Sequence, residues 1–244
     1  MRDPIFAMAL PYFYSPNLLS GNDVMEMDED NSRHMVQVLR MQEKEQVRLT
    51  DGIGNIVLAE ILQPHKKKTT VKKLSLEKKE APASSVSIAI SLLKNAPRFE
   101  WFLEKAAEIG IRRIVPLICE RTEGRQFKKD RWQQILVSAM LQSQQSWLTE
   151  ITQPAAFAQF VKNSNTAEGS MKWIAHCEDE EKAAVALLPK TSQSSVVLIG
   201  PEGDFTPKEI ELALQQGFKA VSLGKNRLRT ETAGLVAACL LAIH

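Results

Sequence analysis

The chain has 244 residues, of which 44% are hydrophobic, and its net charge is +2. This composition supports a sizeable core and excludes a disordered chain, and the small net charge leaves any attraction to nucleic acid to local basic patches. Three isolated cysteines without a CxxC pair argue against a disulfide framework and a zinc site, and they are typical of a reducing cytoplasm.

No targeting or membrane segment is predicted. The longest apolar run, from Leu235 to Ile243, is much shorter than the ~20 residues that a membrane span requires. The stretch MALPYFYSP, which begins at Met8, resembles a natural start, so we expect residues 1–7 to be a leader or the result of an upstream start. We therefore expect a cytoplasmic protein without a membrane partner.

The first 80 residues are predicted to form a small β-barrel. In QVRLTDGIGNIVLAEIL, apolar and polar residues alternate on both sides of a DGIGN turn, which predicts a β-hairpin. The basic stretch KKKTTVKKLSLEKK predicts a further polar strand. The segment from Glu77 to Ser85, charged and then rich in Pro, Ala and Ser, is the predicted linker, so the domains are placed at residues 1–80 and 81–244.

Strands alternate with helices after the linker. SVSIAISLL, IRRIVPLIC, KWIAHC, SVVLIG and AVSLG are predicted strands, and PRFEWFLEKAAEIG and DRWQQILVSAMLQ are predicted amphipathic helices. The segment that begins at Thr230 is apolar nearly all round, so we expect a buried final helix. This alternation over ~160 residues predicts an α/β domain with a mostly parallel sheet and helices on both faces.

A glycine-containing corner joins strand to helix in SVVLIGPEGDFTPKEIELALQQGF. Gly200 follows the carboxyl end of the strand, where open α/β sheets bind ligands, and Gly203 provides a second permissive position. The letters TPKE form a capping box at the start of the helix. The buried face of this helix is expected to consist of Ile210, Ala213 and Leu214.

The spacing of this corner excludes two nucleotide-binding motifs, because neither GxGxxG nor GxxxxGK[ST] occurs. Glu202 and Asp204 would repel a pyrophosphate but tolerate a ligand with a positive centre. A purely structural corner is the open alternative. A second corner, AVSLGKNRLRTETAG, places Gly224 and a basic turn before the final helix, and two corners at one sheet edge favour a pocket. Arg229 and Glu231 could also form a simple surface ion pair.

The two corners, IGPEGDF and LGKNRLRTETAG, resemble the signature of the RsmE family. These are SPOUT-superfamily methyltransferases that act on N3 of a uridine in 16S rRNA. The resemblance continues in the family's order through HMVQVLRM, LLKNAPRFEWFLEKAAEIGIRRIVPL and RWQQILVSAMLQS, and it runs from about Leu10 to the C-terminus.

The chain departs from the family pattern at several positions. Asp204 stands where a second glycine is usual after GPEG, Ser138 stands where glutamate is common, and Arg227 is shifted by one place. The neighbourhood of a usual arginine holds Gln144, Gln145 and Ser146. Because this arginine is missing, we do not expect the chain to make the RNA or dimer contact that the arginine would supply.

The resemblance implies a deep trefoil knot in the C-terminal domain, homodimer formation through that domain, and a PUA- or OB-like N-terminal barrel that holds RNA. The implied partner is 16S rRNA or the small ribosomal subunit. The implied cofactor is S-adenosylmethionine, whose positively charged sulfonium can be accepted by the acidic turn at Glu202 and Asp204. No metal is expected, because no cluster of Cys, His or carboxylates has the spacing of metal ligands.

The resemblance implies that the cofactor is held mainly by backbone groups at the two corners and at the end of a third strand. The expected cofactor-binding residues are His176, Ile199, Gly200, Pro201, Glu202, Gly203, Leu223, Gly224, Leu228 and Thr230.

Methylation of uridine N3 requires removal of a proton, positioning, and stabilisation of the uracil anion. N3 lies on the Watson–Crick edge, so the base must be unpaired or flipped out. We expect Arg229 to contact a uracil carbonyl or a flanking phosphate. Glu231 is expected either to orient Arg229 or to assist removal of the proton.

Candidate RNA contacts are basic residues of the barrel and of the region after the linker. They are Arg33, His34, Arg40, Lys94, Arg98 and Lys105. Two other functions stay open: an inactive RNA-binding protein with a vestigial cofactor pocket, and an enzyme that uses a different adenosyl or nucleotide ligand.

Overall fold

The computed structural model describes residues 10–20, 22–82, 85–124, 126–164, 170–177, 183–184 and 194–242. The expected leader at residues 1–7 lies outside the described residues. The chain divides into two compact units: one comprises the chain up to residue 81 together with Ser143–Trp147, and the other comprises the rest. The segment Ser143–Trp147 thus packs with the first unit, although it lies far beyond the predicted linker.

The first unit contains a five-stranded sheet. Its strands are β1 (Tyr12–Tyr14), β2 (Val24–Glu26), β3 (Gln46–Thr50), β4 (Asn55–Gln63) and β5 (Thr70–Lys78). They lie in the order β1-β3-β4-β5-β2, with β1 parallel to β3 and the other neighbours antiparallel, so that the unit is a mixed half-barrel. The predicted hairpin, β3–β4, and the predicted polar strand, β5, are confirmed. Because β5 continues to Lys78, the linker begins later than predicted.

A short helical segment precedes β3. It consists of α1 (Glu29–Arg33) and a π-helical turn (His34–Val38). Asp28 begins the helix, because its side chain accepts a hydrogen bond from the Asn31 amide at 2.8 Å. The core of this unit packs Met35 from the turn against strand residues such as Val47, Leu49 and Ile61.

The second unit is built on a parallel sheet. Its strands are β6 (Val86–Ser91), β7 (Arg113–Ile118), β8 (Glu150–Ile151), β9 (Ala155–Ala156), β10 (Met171–Ala175), β11 (Ala183–Ala184), β12 (Ser195–Ile199) and β13 (Lys219–Ser222). The order is β11-β13-β10-β12-β6-β7-β8, with β9 beside β7. All strand pairs described in this sheet are parallel, which confirms the predicted α/β class. The carboxyl ends of the strands therefore share one edge.

Helices cover both faces of this sheet. They are α2 (Ala96–Ile109), α3 (Lys129–Gln142), α4 (Phe157–Asn163), α5 (Pro207–Gln215) and α6 (Thr230–Ala242). Residues of α2, α3 and α6 contribute to one buried cluster, and residues of α4 and α5 contribute to another. The buried stripe predicted for α2 is confirmed, and Gly110 ends that helix with a positive φ of 91°. None of the described helices combines the length and apolar character needed to cross a bilayer.

The last two helices differ from their predicted burial. In α5 the TPKE capping box is confirmed, but Leu214 is 39% exposed and Glu209 is buried in its place. The Glu209 carboxylate is held inside because it accepts hydrogen bonds from the amides of Glu120 and Thr206, both at 2.9 Å. In α6 only one face is buried, and Leu240 on the other is 36% exposed, so the prediction of burial all round is wrong for the single chain.

Candidate active site

A pocket of about 350 Å³ opens at the carboxyl ends of β10 and β13. One wall is Ala175, His176 and Cys177, which end β10 and follow it. The other wall is residues 221–228, which run from β13 toward α6, together with Ala233 on that helix. This is the edge at which open parallel sheets bind ligands, and the volume lies in the range of small-ligand sites.

The loop after β13 presents an open backbone to the pocket. Gly224 has a φ of 130°, and a methyl group added to it would meet no atom within 4 Å. The backbone groups of Lys225, Asn226 and Leu228 form no hydrogen bonds with other described parts of the chain. Amides and carbonyls in this state can pair with the polar edge of a purine, while Leu223 and Leu228 supply apolar wall. The pocket thus fits an adenosyl group.

The predicted cofactor residues fall into two groups. His176, Leu223, Gly224 and Leu228 line the pocket. The others do not line it: Ile199, Gly200, Pro201, Glu202 and Gly203 lie at the end of β12 and in its turn, and Thr230 is buried in the first turn of α6. Ile199 pairs in register with Ala175, so the turn after β12 begins next to the pocket wall.

The individual predictions omitted other lining residues. They include Ala175, Val221, Ser222, Lys225, Asn226, Arg227 and Ala233. All of these except Ala175 belong to the second glycine corner, so the letters AVSLGKNRLRTETAG already indicated the segment, although not which of its residues face inward.

Asp204 connects the turn after β12 to the pocket wall. Its φ is 65°, in the left-handed region that glycine tolerates best, which accounts for the glycine usual there in the family it resembles. Its carboxylate accepts hydrogen bonds from the amide of Cys177 at 2.7 Å and from the amide of Phe205 at 2.8 Å. Arg121 secures the same turn, because its guanidinium donates to the Gly203 carbonyl at 2.7 Å.

Glu231 is a buried carboxylate in the first turn of α6. It is 7% exposed, and its Oε1 lies 3.8 Å from Nε of Arg98 in the first turn of α2. Arg229 is exposed and forms no ion pair with any described residue. The alternative of an Arg229–Glu231 surface pair is therefore wrong, because Glu231 pairs with Arg98 instead. The Arg229 carbonyl accepts from the Ala233 amide at 2.7 Å, which fixes its backbone at the start of α6.

The candidate RNA contacts of the second unit have acidic neighbours. Lys94 pairs with Glu123 at 2.9 Å, and Lys105 pairs with Glu104 and Glu108 at 2.8 and 2.9 Å. Hydrogen bonds to these carboxylates raise the pKa of both lysines, so both stay protonated. The charge of Glu202 also contributes to the raised pKa of Lys94. Lys105 is the weaker phosphate-binding candidate because it donates hydrogen bonds to two carboxylates, whereas Lys94 donates to one.

The candidates of the first unit surround its π-helical turn. Arg33 pairs with Asp30, and the His34 ring packs edge-on against Phe13 with 5.6 Å between ring centroids. Arg40 is exposed and has a φ of 55°, an uncommon conformation for a residue with a side chain. Arg40 is thus the candidate most available to a ligand, while His34 also serves packing.

Comparison with known proteins identifies the class. The chain matches the family described as RNA methyltransferase domain over residues 79–242 and the family described as RNA methyltransferase PUA domain over residues 28–74. The parallel-sheet unit with its pocket and the mixed half-barrel are thus those of an RNA methyltransferase with a PUA domain.

Individual relatives identify the family. Ribosomal RNA small subunit methyltransferase E of Synechocystis sp. is 32% identical over 207 residues, which are 84% of this chain and 68% of the relative. A probable rRNA-methyltransferase from Porphyromonas gingivalis superimposes with a TM-score of 0.87 at 37% identity, covering 94% of this chain and 95% of that one. The Neisseria gonorrhoeae methyltransferase E, solved bound to S-adenosyl methionine, gives a TM-score of 0.83 at 29% identity over 95% and 96% of the two chains. The chain belongs to the family of ribosomal RNA small subunit methyltransferase E, RsmE.

Proposed function

We propose that this protein transfers a methyl group from S-adenosylmethionine to N3 of one uridine in 16S rRNA. The observation that carries the proposal is the pocket at the ends of β10 and β13, whose open backbone suits an adenosyl group. Its relatives named as small-subunit rRNA methyltransferases, and the gonococcal relative solved with S-adenosyl methionine, support the substrate and the cofactor.

The cofactor would be held by the loop after β13 and by the end of β10. Leu223 and Leu228 would pack on the adenine, and the backbone from Gly224 to Leu228 would bind its polar edge. S-adenosylmethionine supplies an electrophilic methyl group on a positively charged sulfur. Glu202, in the turn after β12, contributes a negative charge near this region, which favours a cationic ligand over a pyrophosphate.

The base would be activated by charged groups at the starts of α2 and α6. Arg229 is exposed and has no ion-pair partner among the described residues, so it is available to a uracil carbonyl or a flanking phosphate. Glu231 would assist removal of the N3 proton or orient a cation. Its ion pair with Arg98 favours orientation, and the oriented cation would then be Arg98 instead of Arg229.

The partners and the location follow from the same proposal. The substrate would be the assembled small ribosomal subunit in the cytoplasm, with the first unit contributing Arg33, His34 and Arg40 to RNA binding. The protein would act as a homodimer. The partly exposed apolar face of α6, which includes Leu240, supports an interface on the second unit.

No observation favours the alternative of an inactive RNA-binding protein. Asp204 departs from the glycine that is usual in the family, but its carboxylate accepts two hydrogen bonds that build it into the turn. The departure from the usual glycine therefore leaves the pocket wall in place.

Two measurements test this function in sequence. Calorimetry with S-adenosylmethionine should give binding in the micromolar range, and no binding at millimolar ligand contradicts the proposal. Mass-spectrometric mapping of rRNA from a strain lacking the gene should then show loss of one N3-methyluridine.

Complementation of that strain tests the role of Arg229. The intact gene should restore the modification, and the gene carrying Arg229→Ala should not. Arg113→Ala, which removes an exposed arginine paired with Glu150 at 3.5 Å, is the matched control and should restore it.

A further inference from the structure

A second cavity lies in the parallel-sheet unit, at the carboxyl end of β6. Its volume is about 280 Å³, and it is bounded by the end of β6, the loop after β7, and helices α2 and α3. Its apolar walls are Leu92, Leu93, Phe99 and Trp132. The cavity shares a sheet edge with the cofactor pocket but has none of its lining residues.

The aromatic wall contains an unused hydrogen-bond donor. The rings of Phe99 and Trp132 are both at most 1% exposed, and their centroids are 4.6 Å apart. The indole Nε1 of Trp132 is buried and has no hydrogen-bond partner among the described residues. Buried polar groups are nearly always paired in folded proteins, so an acceptor that enters the cavity would satisfy this donor.

The rim of the cavity is charged and faces the turn after β12. Lys94 and Glu123 form an exposed pair across it at 2.9 Å. Arg121, in the loop after β7 that bounds the cavity, donates to the Gly203 carbonyl at 2.7 Å, which places this loop beside the GPEG turn. Arg98, which pairs with the buried Glu231, lies in the same first turn of α2 as the lining residues Ala96 and Phe99. Two cations, Lys94 and Arg98, thus lie beside the cavity and suit the phosphate of a nucleotide.

We propose that this cavity receives the unstacked pyrimidine base of the RNA substrate. The base would pack against Leu93 and Phe99, one of its carbonyl oxygens would accept from Trp132 Nε1, and Lys94 would bind the adjoining phosphate. The cavity is smaller than the ~300–1,000 Å³ of sites for drug-sized ligands, which suits one base. This inference rests on the proposed function, because it names the site of the substrate of that reaction.

A pair of matched tryptophan substitutions tests the subsite. Gln126 is exposed and lines the cavity, so Gln126→Trp should block it without disturbing the core. Gln134 is also exposed but lines a separate groove between α2 and α3, so Gln134→Trp is the control. Gln126→Trp should lower kcat/KM for small subunits at least ~10-fold, with the affinity for S-adenosylmethionine unchanged, and Gln134→Trp should lower neither. Equal activity of the two variants would overturn the subsite while leaving the methyltransferase assignment intact.

A second variant and a direct probe separate the subsite from the reaction. Trp132→Phe keeps an aromatic ring at this position and removes the indole donor, so it should lower kcat/KM about 5- to 10-fold with the fold retained. The probe is 5-fluorouridine monophosphate, observed by fluorine NMR in the presence of the intact protein. Its line should broaden with the intact protein and with Gln134→Trp but not with Gln126→Trp. Broadening by all three overturns the subsite. Selective broadening without any rRNA methylation supports the subsite and refutes the proposed reaction.

Discussion

The carboxylate of Glu231 lies 3.8 Å from Nε of Arg98, and this pair joins the first turn of α6 to the first turn of α2. The glutamate is buried and the arginine side chain is 41% exposed, so the arginine can reach both the carboxylate and a ligand from solvent. Arg98 is the one cation paired with Glu231 among the described residues, and a buried carboxylate depends strongly on its cationic partner.

Removal of Arg98 is therefore expected to impair methyl transfer more than cofactor binding. Arg98→Met should lower kcat about tenfold or more, while the affinity for S-adenosylmethionine changes by less than about twofold. Arg98→Lys keeps the charge and should recover part of the activity. Steady-state kinetics and calorimetry measure the two effects. Arg113→Met is the control, and the account fails here if both methionine variants have the same kcat.

The Asp204 turn predicts an order of stability among three variants. Asp204→Gly loses two hydrogen bonds but relieves the positive φ of 65°, whereas Asp204→Ala loses the bonds and keeps the strain. Alanine should therefore be less stable than glycine by about 1 kcal/mol, and Asp204→Asn should be more stable than either. Urea unfolding of the four proteins measures this order.

The same Asp204 variants test the link between the turn and the pocket. Loss of the hydrogen bond to Cys177 frees one wall of the pocket, so the glycine and alanine variants should bind S-adenosylmethionine several-fold more weakly. Wild-type affinity in the alanine variant would show that this hydrogen bond serves stability alone.

Two glycines with positive φ provide a matched test of the pocket loop. Gly224 and Gly217 have φ values of 130° and 82°, and an added methyl group would meet nothing within 4 Å at either position. Alanine should cost about 1 kcal/mol of stability at both, because only the backbone conformation is strained. Only Gly224→Ala should weaken cofactor binding, by about tenfold, since Gly217 follows α5 and lies outside the pocket lining. Calorimetry measures the affinity of both variants for S-adenosylmethionine. Equal affinities would contradict the assignment of the loop after β13 to the cofactor pocket.

The cysteines should differ in their reaction with maleimide. Burial, together with the charge of Glu209, raises the pKa of the Cys119 thiol to about 12, so at pH 8 it is neutral and should stay unmodified until the protein unfolds. Cys177 is exposed at the pocket wall and should react in the folded protein. Saturating S-adenosylmethionine should slow that reaction, which peptide mass spectrometry can follow residue by residue. Rapid labelling of Cys119 in the folded state would contradict its burial.

Local sequence patterns were sufficient for the elements that depend on near neighbours. The α2 stripe, the TPKE capping box and the β3–β4 hairpin were predicted because each requires side chains only a few residues apart. Each glycine corner was predicted from residues close in sequence, but only the second corner lines the pocket, and the first lies in the turn after β12.

Features that depend on distant parts of the chain were not predictable in this way. The partner of Glu231 is set by the packing of α6 on α2, and no local pattern links residues 98 and 231. The burial of Glu209 in place of Leu214 depends on the loop after β7, which supplies the Glu120 amide. The two-residue strands β8 and β9 are too short to show a hydrophobic period.

The most direct test of the account is methyl transfer by the purified protein. Small ribosomal subunits from a strain lacking the gene would be incubated with S-adenosylmethionine labelled in the methyl group, and the modified nucleoside would be identified by mass spectrometry. We predict about one methyl group per subunit, located on N3 of a uridine in 16S rRNA, and much less transfer to large subunits. The absence of transfer, or a methyl group on a ribose or on a ring carbon, would contradict the central claim.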